Sequence, residues 1–515
     1  TGTTTVSGGT LSVTGSLSDS TAVAVSAGAT YNVGASDTIG ALSGAGSVTL
    51  NANTLTIATA SGTYSGVMSG TGSLTISGGT QTLSGANTYS GTTTLSGATL
   101  ILGSDALCLG STNCDAVNTT MFSGPIGTGN LHINAGATLN LNGHNFGNAY
   151  LSAQPNITMS GSGTTSSTVT TVTNSSTSSN SIVYSNIVLD QNGNGFYDVI
   201  SQATGKTLTI NGVISNGSGA TATRLQVGSS GLNGTVVLGG GLSANSYTGG
   251  TGLISGTLKL ANSGTYSLGS GSLTIYTGTT LELDGNSISN AITLQNGVIA
   301  NSKANTNSSI SGNISLGATV SYLRAVSNSN IVVNGYAWDS AAGYGLTFGS
   351  ASYTGTVTLN GSNPYRGNTV IAGGILQIAG TGKLGTSGDY TGGLSIASGS
   401  TFEYSSSSAQ TLSGVVSGSG AIIKDTSSSG TLTLSGANTY TGGTTISAGT
   451  LALGNNNVLA DTGAITIDGS TAALSIGAYS DTVAAVSIGT NGGSITGTTG
   501  VLTGSSYTFS NTSGN

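Results

Sequence analysis

The sequence predicts an all-β chain wound as a parallel β-helix, a β-solenoid forming one elongated rod, and three observations predict it. Good helix formers are sparse, with Glu occurring twice and Lys five times in 515 residues, and no window carries apolar residues at i, i+3, i+4 and i+7 over three turns. Leu, Val, Ile and Thr recur instead in short alternating runs such as Leu74-Thr75-Ile76 and Leu432-Thr433-Leu434, the period of a strand buried on one face. The chain also repeats itself. TLTLSGANTYTGGTTISAGTLALG at 431–454 and TQTLSGANTYSGTTTLSGATLILG at 80–103 match without a gap. Looser copies run from Asn245-Ser246-Tyr247-Thr248-Gly249-Gly250 to Leu258, and from Asn363-Pro364-Tyr365-Arg366-Gly367 to Leu376.

A second repeat form follows the first, in VSAGATYNVG at 25–34, INAGATLNLNGH at 133–144, IYTGTTLELDG at 275–285 and IASGSTFEY at 396–404. Each form is a short strand, a Gly or Asn turn and another short strand. Strands this short cannot bury a face alone, so the core must come from coils stacked on one another. In such a stack alternate Val, Leu and Ile point inward, Gly and Asn make the corners, and Thr, Ser and Asn form ladders outside. Rungs of about 20 to 24 residues rising about 4.8 Å each predict a single coil over 1–515, with roughly 21 to 26 rungs. An array of β-sandwich domains is the alternative architecture; the absence of polar or Pro-rich linkers, in a chain with 3 Pro, argues against it.

Composition narrows the function classes. With 8 Lys plus Arg scattered along the chain and a net charge of −7, there is no basic stripe for nucleic acid and no polybasic membrane anchor. No apolar run is long enough to span a membrane, and the chain starts at Thr1 without a leader, so a mature or excised segment is expected.

The strings at 435–454 and 84–103 resemble the autotransporter-associated β-strand repeat, found in the passenger regions of bacterial type V secreted surface proteins. The resemblance implies a right-handed parallel β-helix, located outside the cell or on its surface, with a structural or adhesive role. It implies no particular ligand, because the repeat is scaffold. It also implies a terminal membrane barrel, expected to be cleaved, outside this segment, or never present.

Both ends read as half-repeats. TGTTTVSGGTL at 1–11 aligns with 441–451, and YTFSNTSGN at 507–515 aligns with 432–440. Leu376 to Leu451 spans 75 positions, as does Leu451 to Leu11 of an appended copy. The expectation is head-to-tail self-association, or tandem linkage in a longer chain, through Thr5, Val6, Leu11, Tyr507 and Phe509, giving a surface fibre with an adhesive or biofilm role. A monomeric adhesin that binds host or matrix ligands through lateral loops is the first alternative, and a polysaccharide-active enzyme the second.

Chemistry-bearing residues are few. His132 and His144 have no acidic neighbour in sequence, and the acidic stretch Asp461, Asp468 and Asp481 lacks the accompanying Arg or Lys that saccharide cleavage by a β-helix calls for. No enzymatic activity is expected. Asp190, Asn192, Asn194, Phe196 and Asp198 lie in a DxNxNGxxD pattern, whose oxygen donors and turn glycine suit Ca²⁺ as the one cofactor. Cys108 and Cys114 are expected to pair in a local disulfide closing a protruding loop. Tyr336, Trp338, Tyr344, Phe348 and Tyr353 form the aromatic concentration, a candidate contact for surface glycans or host matrix. Lateral loops are expected near 104–122, 159–181 and 335–353.

Overall fold

The computed structural model describes residues 2–108, 121–148, 154–161, 169–190, 197–218, 220, 223–239, 244–261, 268–340, 342–425 and 430–510. They contain no helix, and every strand outside one hairpin pairs in parallel with a strand of a neighbouring turn. The described strands stack as a β-solenoid, in two compact units, Thr1–Asn262 with Tyr266–Ser272, and Ser263–Thr265 with Leu273–Asn515.

In the first unit each turn contributes up to three strands. One sheet begins with Thr3–Val6, Ala22–Val25, Ala41–Gly44, Ala60–Tyr64, Gly79–Leu83 and Ala98–Leu102. Its register pairs Thr3 with Ala22, Ala22 with Ala41, and Gly79 with Ala60 and Ala98, a period of 19 residues. Another sheet stacks Asp37–Ile39, Thr54–Ile57, Ser73–Ile76, Thr93–Leu95 and Leu131–Asn134. Its inward column Ile39, Ile57, Ile76, Leu95, Ile133 is fully buried. Each such side chain contributes roughly 1.5–3 kcal/mol by leaving water, while the alternate residues Thr38, Thr56, Thr75 and Thr94 face outward in register.

The second unit repeats this plan with a sheet of 11 strands running from Ser287–Ile288 to Leu502–Phe509. Its register advances by 26 residues from Asn330 to Thr356 but by 19 from Thr356 to Ile375. The period varies more than the sequence predicts because extra residues enter at the corners and leave the paired strands in step. One inward column reads Ile378, Tyr404, Lys424, Ile446 and Ile467, so an amine is buried in an otherwise apolar and aromatic ladder. Its Nζ lies 5.7 Å from the Tyr404 ring centroid, and burial pulls the Lys424 pKa down against a smaller opposing effect of Asp425.

Two of the expected lateral loops contain strands of the wall. Within 159–181 lie the second half of strand Ile157–Ser160, all of Thr170–Asn174 and the start of Ser181–Val183. Thr170, Thr173 and Asn174 of this Ser/Thr-rich stretch are buried, because threonine hydroxyls and an amide can face a solenoid interior when bonded to neighbouring rungs, here to Asp198, Ser201 and the Gly143 N–H. Within 335–353 lie Ala337–Asp339 and Gly345–Phe348, both paired in parallel sheets. In the stretch 104–122, Leu107–Cys108 pairs antiparallel with Met121–Ser123, and residues 109–120 lie outside the described part.

Candidate functional site

The repeated string Asn-x-Tyr-x-x-x-Thr forms a three-part lock at a corner. In all four copies the Tyr hydroxyl shares a hydrogen bond with the Thr hydroxyl four residues on: Tyr89–Thr93 at 2.6 Å, Tyr247–Thr251 at 2.6 Å, Tyr365–Thr369 at 2.7 Å and Tyr440–Thr444 at 2.5 Å. These tyrosines are among the largest fully buried side chains. Burial raises the pKa of each, and pushes Tyr440 up to about 12 against the opposing Thr444 hydrogen bond, with the charge of Asp481 adding to the rise.

The asparagine two residues before each tyrosine ties the rungs together. Its Oδ1 accepts the backbone N–H of the preceding rung: Met68 to Asn87 at 2.7 Å, Ile214 to Asn245 at 2.7 Å, Ala337 to Asn363 at 2.9 Å and Val416 to Asn438 at 2.7 Å. In three of the copies its Nδ2 reaches the following rung, donating from Asn87 to the Pro125 carbonyl at 2.7 Å, from Asn363 to the Lys383 carbonyl at 3.2 Å and from Asn438 to the Val458 carbonyl at 2.6 Å. A buried amide with donor and acceptor both used rigidifies a corner that has no regular ladder.

The aromatic residues do not form one patch. Phe348 is fully buried, while Tyr336 and Trp338 are exposed by 43% and 37%. They stand two apart on one strand edge, and Trp338 pairs in register with Ser315, itself next to Thr293. Beside them the buried Asp339 carboxylate accepts the N–H groups of Gly343 and Tyr344 and meets the half-exposed Arg366 guanidinium at 3.6 Å. Tyr344 and Tyr353 are half-buried, and the Tyr353 hydroxyl shares a hydrogen bond with Ser302, 3.1 Å away.

The remaining candidates are dispersed. Asp198 is buried in strand Tyr197–Gln202 and its Oδ1 accepts the Thr170 hydroxyl; Asp190 is half-buried, and Asn192, Asn194 and Phe196 lie outside the described residues. Cys114 also lies outside them, as does the Cys108 side chain. Thr5 is exposed, Val6 buried and Leu11 half-buried, whereas Tyr507 and Phe509 are exposed by 48% and 67%. His132 faces solvent from strand Leu131–Asn134. His144 does gain an acidic neighbour through the fold, with Nδ1 3.5 Å from Asp105 Oδ1. Next to that pair a cavity of about 10 Å³, lined by Leu102, Ala106, Pro125, Ile126, Phe146 and Pro155, is no larger than a water molecule.

The acidic stretch resolves into separate corner roles. Asp468 accepts the Asn491 N–H at 2.8 Å, while Asp481, 2% exposed, accepts Val458 and Leu459 N–H at 2.8 and 2.9 Å and Thr482 N–H at 2.9 Å. Asp37 does the same in the first unit, taking Leu17 N–H at 3.1 Å and Thr38 N–H at 3.0 Å. The serine before each aspartate accepts from the next rung, Thr54 N–H to Ser36 at 3.0 Å and Val501 N–H to Ser480 at 3.1 Å. The shared string Ser-Asp-Thr is the signal that marks both corners.

Stacked parallel coils locked by a recurring corner define a repeat β-solenoid. Residues 77–102, 351–378 and 427–453 match the family described as passenger-associated-transport-repeat, so the likeness carried by the two strongest sequence copies is shown. No curated protein and no solved structure matches the chain.

Proposed function

We propose that the chain is a non-enzymatic, extracellular scaffold of passenger type, a β-solenoid of a bacterial surface that works as a unit of a fibre or stalk. The observation that carries this reading is the Asn–Tyr–Thr lock: the matched repeats spend their distinctive side chains joining rung to rung, in the interior, and leave none of them free for a ligand. A scaffold of this kind resists unfolding because each rung templates the next. The finer proposal is that rungs add end to end, between copies or along a longer polypeptide. It is supported by strand Leu502–Phe509, which pairs with Asp481–Ile488 on one side and exposes Tyr507 and Phe509.

Electron microscopy of the purified chain over a range of concentrations tests it. Filaments that lengthen with concentration support addition between copies; single particles at every concentration overturn that mode and leave covalent linkage. An adhesive second reading is favoured by exposed Tyr336 and Trp338 beside a row of hydroxyls. Under it, Trp338→Ala abolishes retention on immobilised neutral glycans, and retention equal to the parent's removes the reading. Calcium at 190–198 is a separate proposal, and equal melting temperatures in chelator and in calcium would remove it.

A further inference from the structure

Trp338 and Tyr276 stand at opposite ends of one uncharged strip of wall that lies wholly within the second unit. Across the parallel strands Ala337–Asp339, Ile314–Leu316, Ile292–Leu294 and Leu273–Ile275, the outward column reads Trp338, Ser315, Thr293 and Thr274 in register. Ile275, Leu294 and Leu316 beside it point inward and are buried, so the strip rides on packed wall. Tyr276 extends the last of these strands by one residue, where the Gln295 N–H still donates to the Ile275 carbonyl at 2.8 Å and holds the register. Three rung steps separate Trp338 from Tyr276, roughly 14 Å at the spacing of hydrogen-bonded strands. Tyr276 is exposed by 38%, as Trp338 and Tyr336 are at the other end. Among the described residues no protein group bonds the hydroxyls of Thr274, Thr293 and Ser315 or the polar tips of Tyr276 and Trp338. The carboxylate of these strands, Asp339, is turned inward and holds the Arg366 guanidinium at 3.6 Å.

We propose, resting on the adhesive reading above, that this strip binds a neutral β-1,4-linked hexose chain laid along the stack of rungs. Trp338 and Tyr276 stack on sugars at the two ends of the bound stretch, and Ser315, Thr293 and Thr274 exchange hydrogen bonds with the chain's hydroxyls between them. A sugar has apolar C–H faces rimmed by hydroxyls, which matches rings that alternate with a hydroxyl row. A lipid tail or an apolar peptide would strip water from the three hydroxyls and return no partner. An acidic chain finds no cation on the strip, because the nearby guanidinium already faces Asp339. Equatorial linkage makes such a hexose chain an extended ribbon, able to follow a straight row of side chains, and the three-rung span calls for more than a disaccharide.

Calorimetric titration of the whole chain with the β-1,4-linked disaccharides and hexasaccharides of glucose, mannose and N-acetylglucosamine tests it. At least one hexasaccharide is expected to bind about tenfold or more tighter than its disaccharide, since only the longer chain reaches both rings. Tyr276→Ala should remove that gain while leaving the disaccharide affinity unchanged, Tyr276→Phe should keep it because the ring does the stacking, and Trp338→Ala should weaken both ligands. Both side chains are at the surface, and urea midpoints equal to the parent's show that the variants fold. A hexasaccharide that binds no better than its disaccharide, or that Tyr276→Ala binds as the parent does, overturns the strip and leaves Trp338 as a contact for a single sugar. Binding of none of these hexasaccharides overturns the adhesive reading with it. Polygalacturonate held more tightly than every neutral chain overturns the assignment to neutral sugars.

Discussion

The Tyr365 hydroxyl lies 2.7 Å from the Thr369 hydroxyl, and Thr369 in turn lies 2.8 Å from the Tyr390 hydroxyl, so this copy of the corner lock has a second tyrosine in reserve. The rings of Tyr365 and Tyr390 meet edge to face with centroids 5.8 Å apart. In the copy at 440–444 no such second hydroxyl is bonded to the threonine among the described residues. Removing the tyrosine hydroxyl should therefore cost different amounts in the two copies. Tyr440→Phe leaves a buried threonine hydroxyl without that partner and is expected to cost about 1–3 kcal/mol, whereas Tyr365→Phe keeps the Thr369–Tyr390 bond and should cost about 1 kcal/mol or less. Urea unfolding of the two variants decides it; equal losses would show that the hydroxyl pairs are not what distinguishes the copies.

The corner asparagine has a sharper requirement, because its two ends do different work. Asn438→Ala strands both the Val416 N–H and the Val458 carbonyl, and is expected to destabilise the second unit by about 2–5 kcal/mol. Asn438→Asp keeps the acceptor and loses the donor while burying a charge, so at neutral pH it should be destabilising too, with part of the loss recovered on acidification. Stability of Asn438→Asp that falls on acidification would contradict the bonding described here.

Much of this architecture is legible in the chain because a solenoid repeats its physics locally. The alternation in Leu432-Thr433-Leu434 names the inward residues, and both leucines are fully buried. The gapless match of 80–103 with 431–454 places equivalent residues in equivalent locks. What escaped the sequence is the role of polar residues. Asn is an ordinary turn former, so nothing in Asn87 or Asn438 distinguishes a surface corner from a buried tie between rungs. Asp481 lay in an acidic stretch, and only its recurrence with Asp37 in the string Ser-Asp-Thr, far away in the chain, marks it as a cap. Trp338 and Phe348 drew the segment 335–353 out of the repeat by their bulk, although alternation puts Phe348 inside and Trp338 outside.

Glycines at another corner set how closely rungs approach. A Cβ added at Gly85 would lie 1.7 Å from the Gly66 carbonyl oxygen, and one added at Gly66 would lie 1.7 Å from that of Gly46, so the three glycines stack. Gly97, by contrast, has φ of +63° and open space around the added atom. Gly85→Ala must push two rungs apart and is expected to cost about 3 kcal/mol or more, while Gly97→Ala meets only the left-handed backbone penalty of about 1 kcal/mol. Thermal unfolding of both variants measures the difference, and a Gly97→Ala loss equal to that of Gly85→Ala would refute the stacking argument.

The buried tyrosines predict how the fold fails in alkali. Burial pushes Tyr404 and Tyr440 up to about 12, from an ordinary value of 10.0, because phenolate cannot be solvated between rungs. The unfolded chain releases these protons first, so stability is intact below the unfolded value and is lost as pH climbs from there through the folded one. For Tyr440 alone the loss across that window is on the order of 2–3 kcal/mol. Urea midpoints should therefore hold up to about pH 9 and fall steeply by about pH 11.5. Tyr440→Phe, which has no proton to lose at that position, should start from a lower midpoint and decline less. A parent midpoint that does not move over this range would mean that the phenolates reach water without opening the coil, and that the corner locks are looser than their geometry.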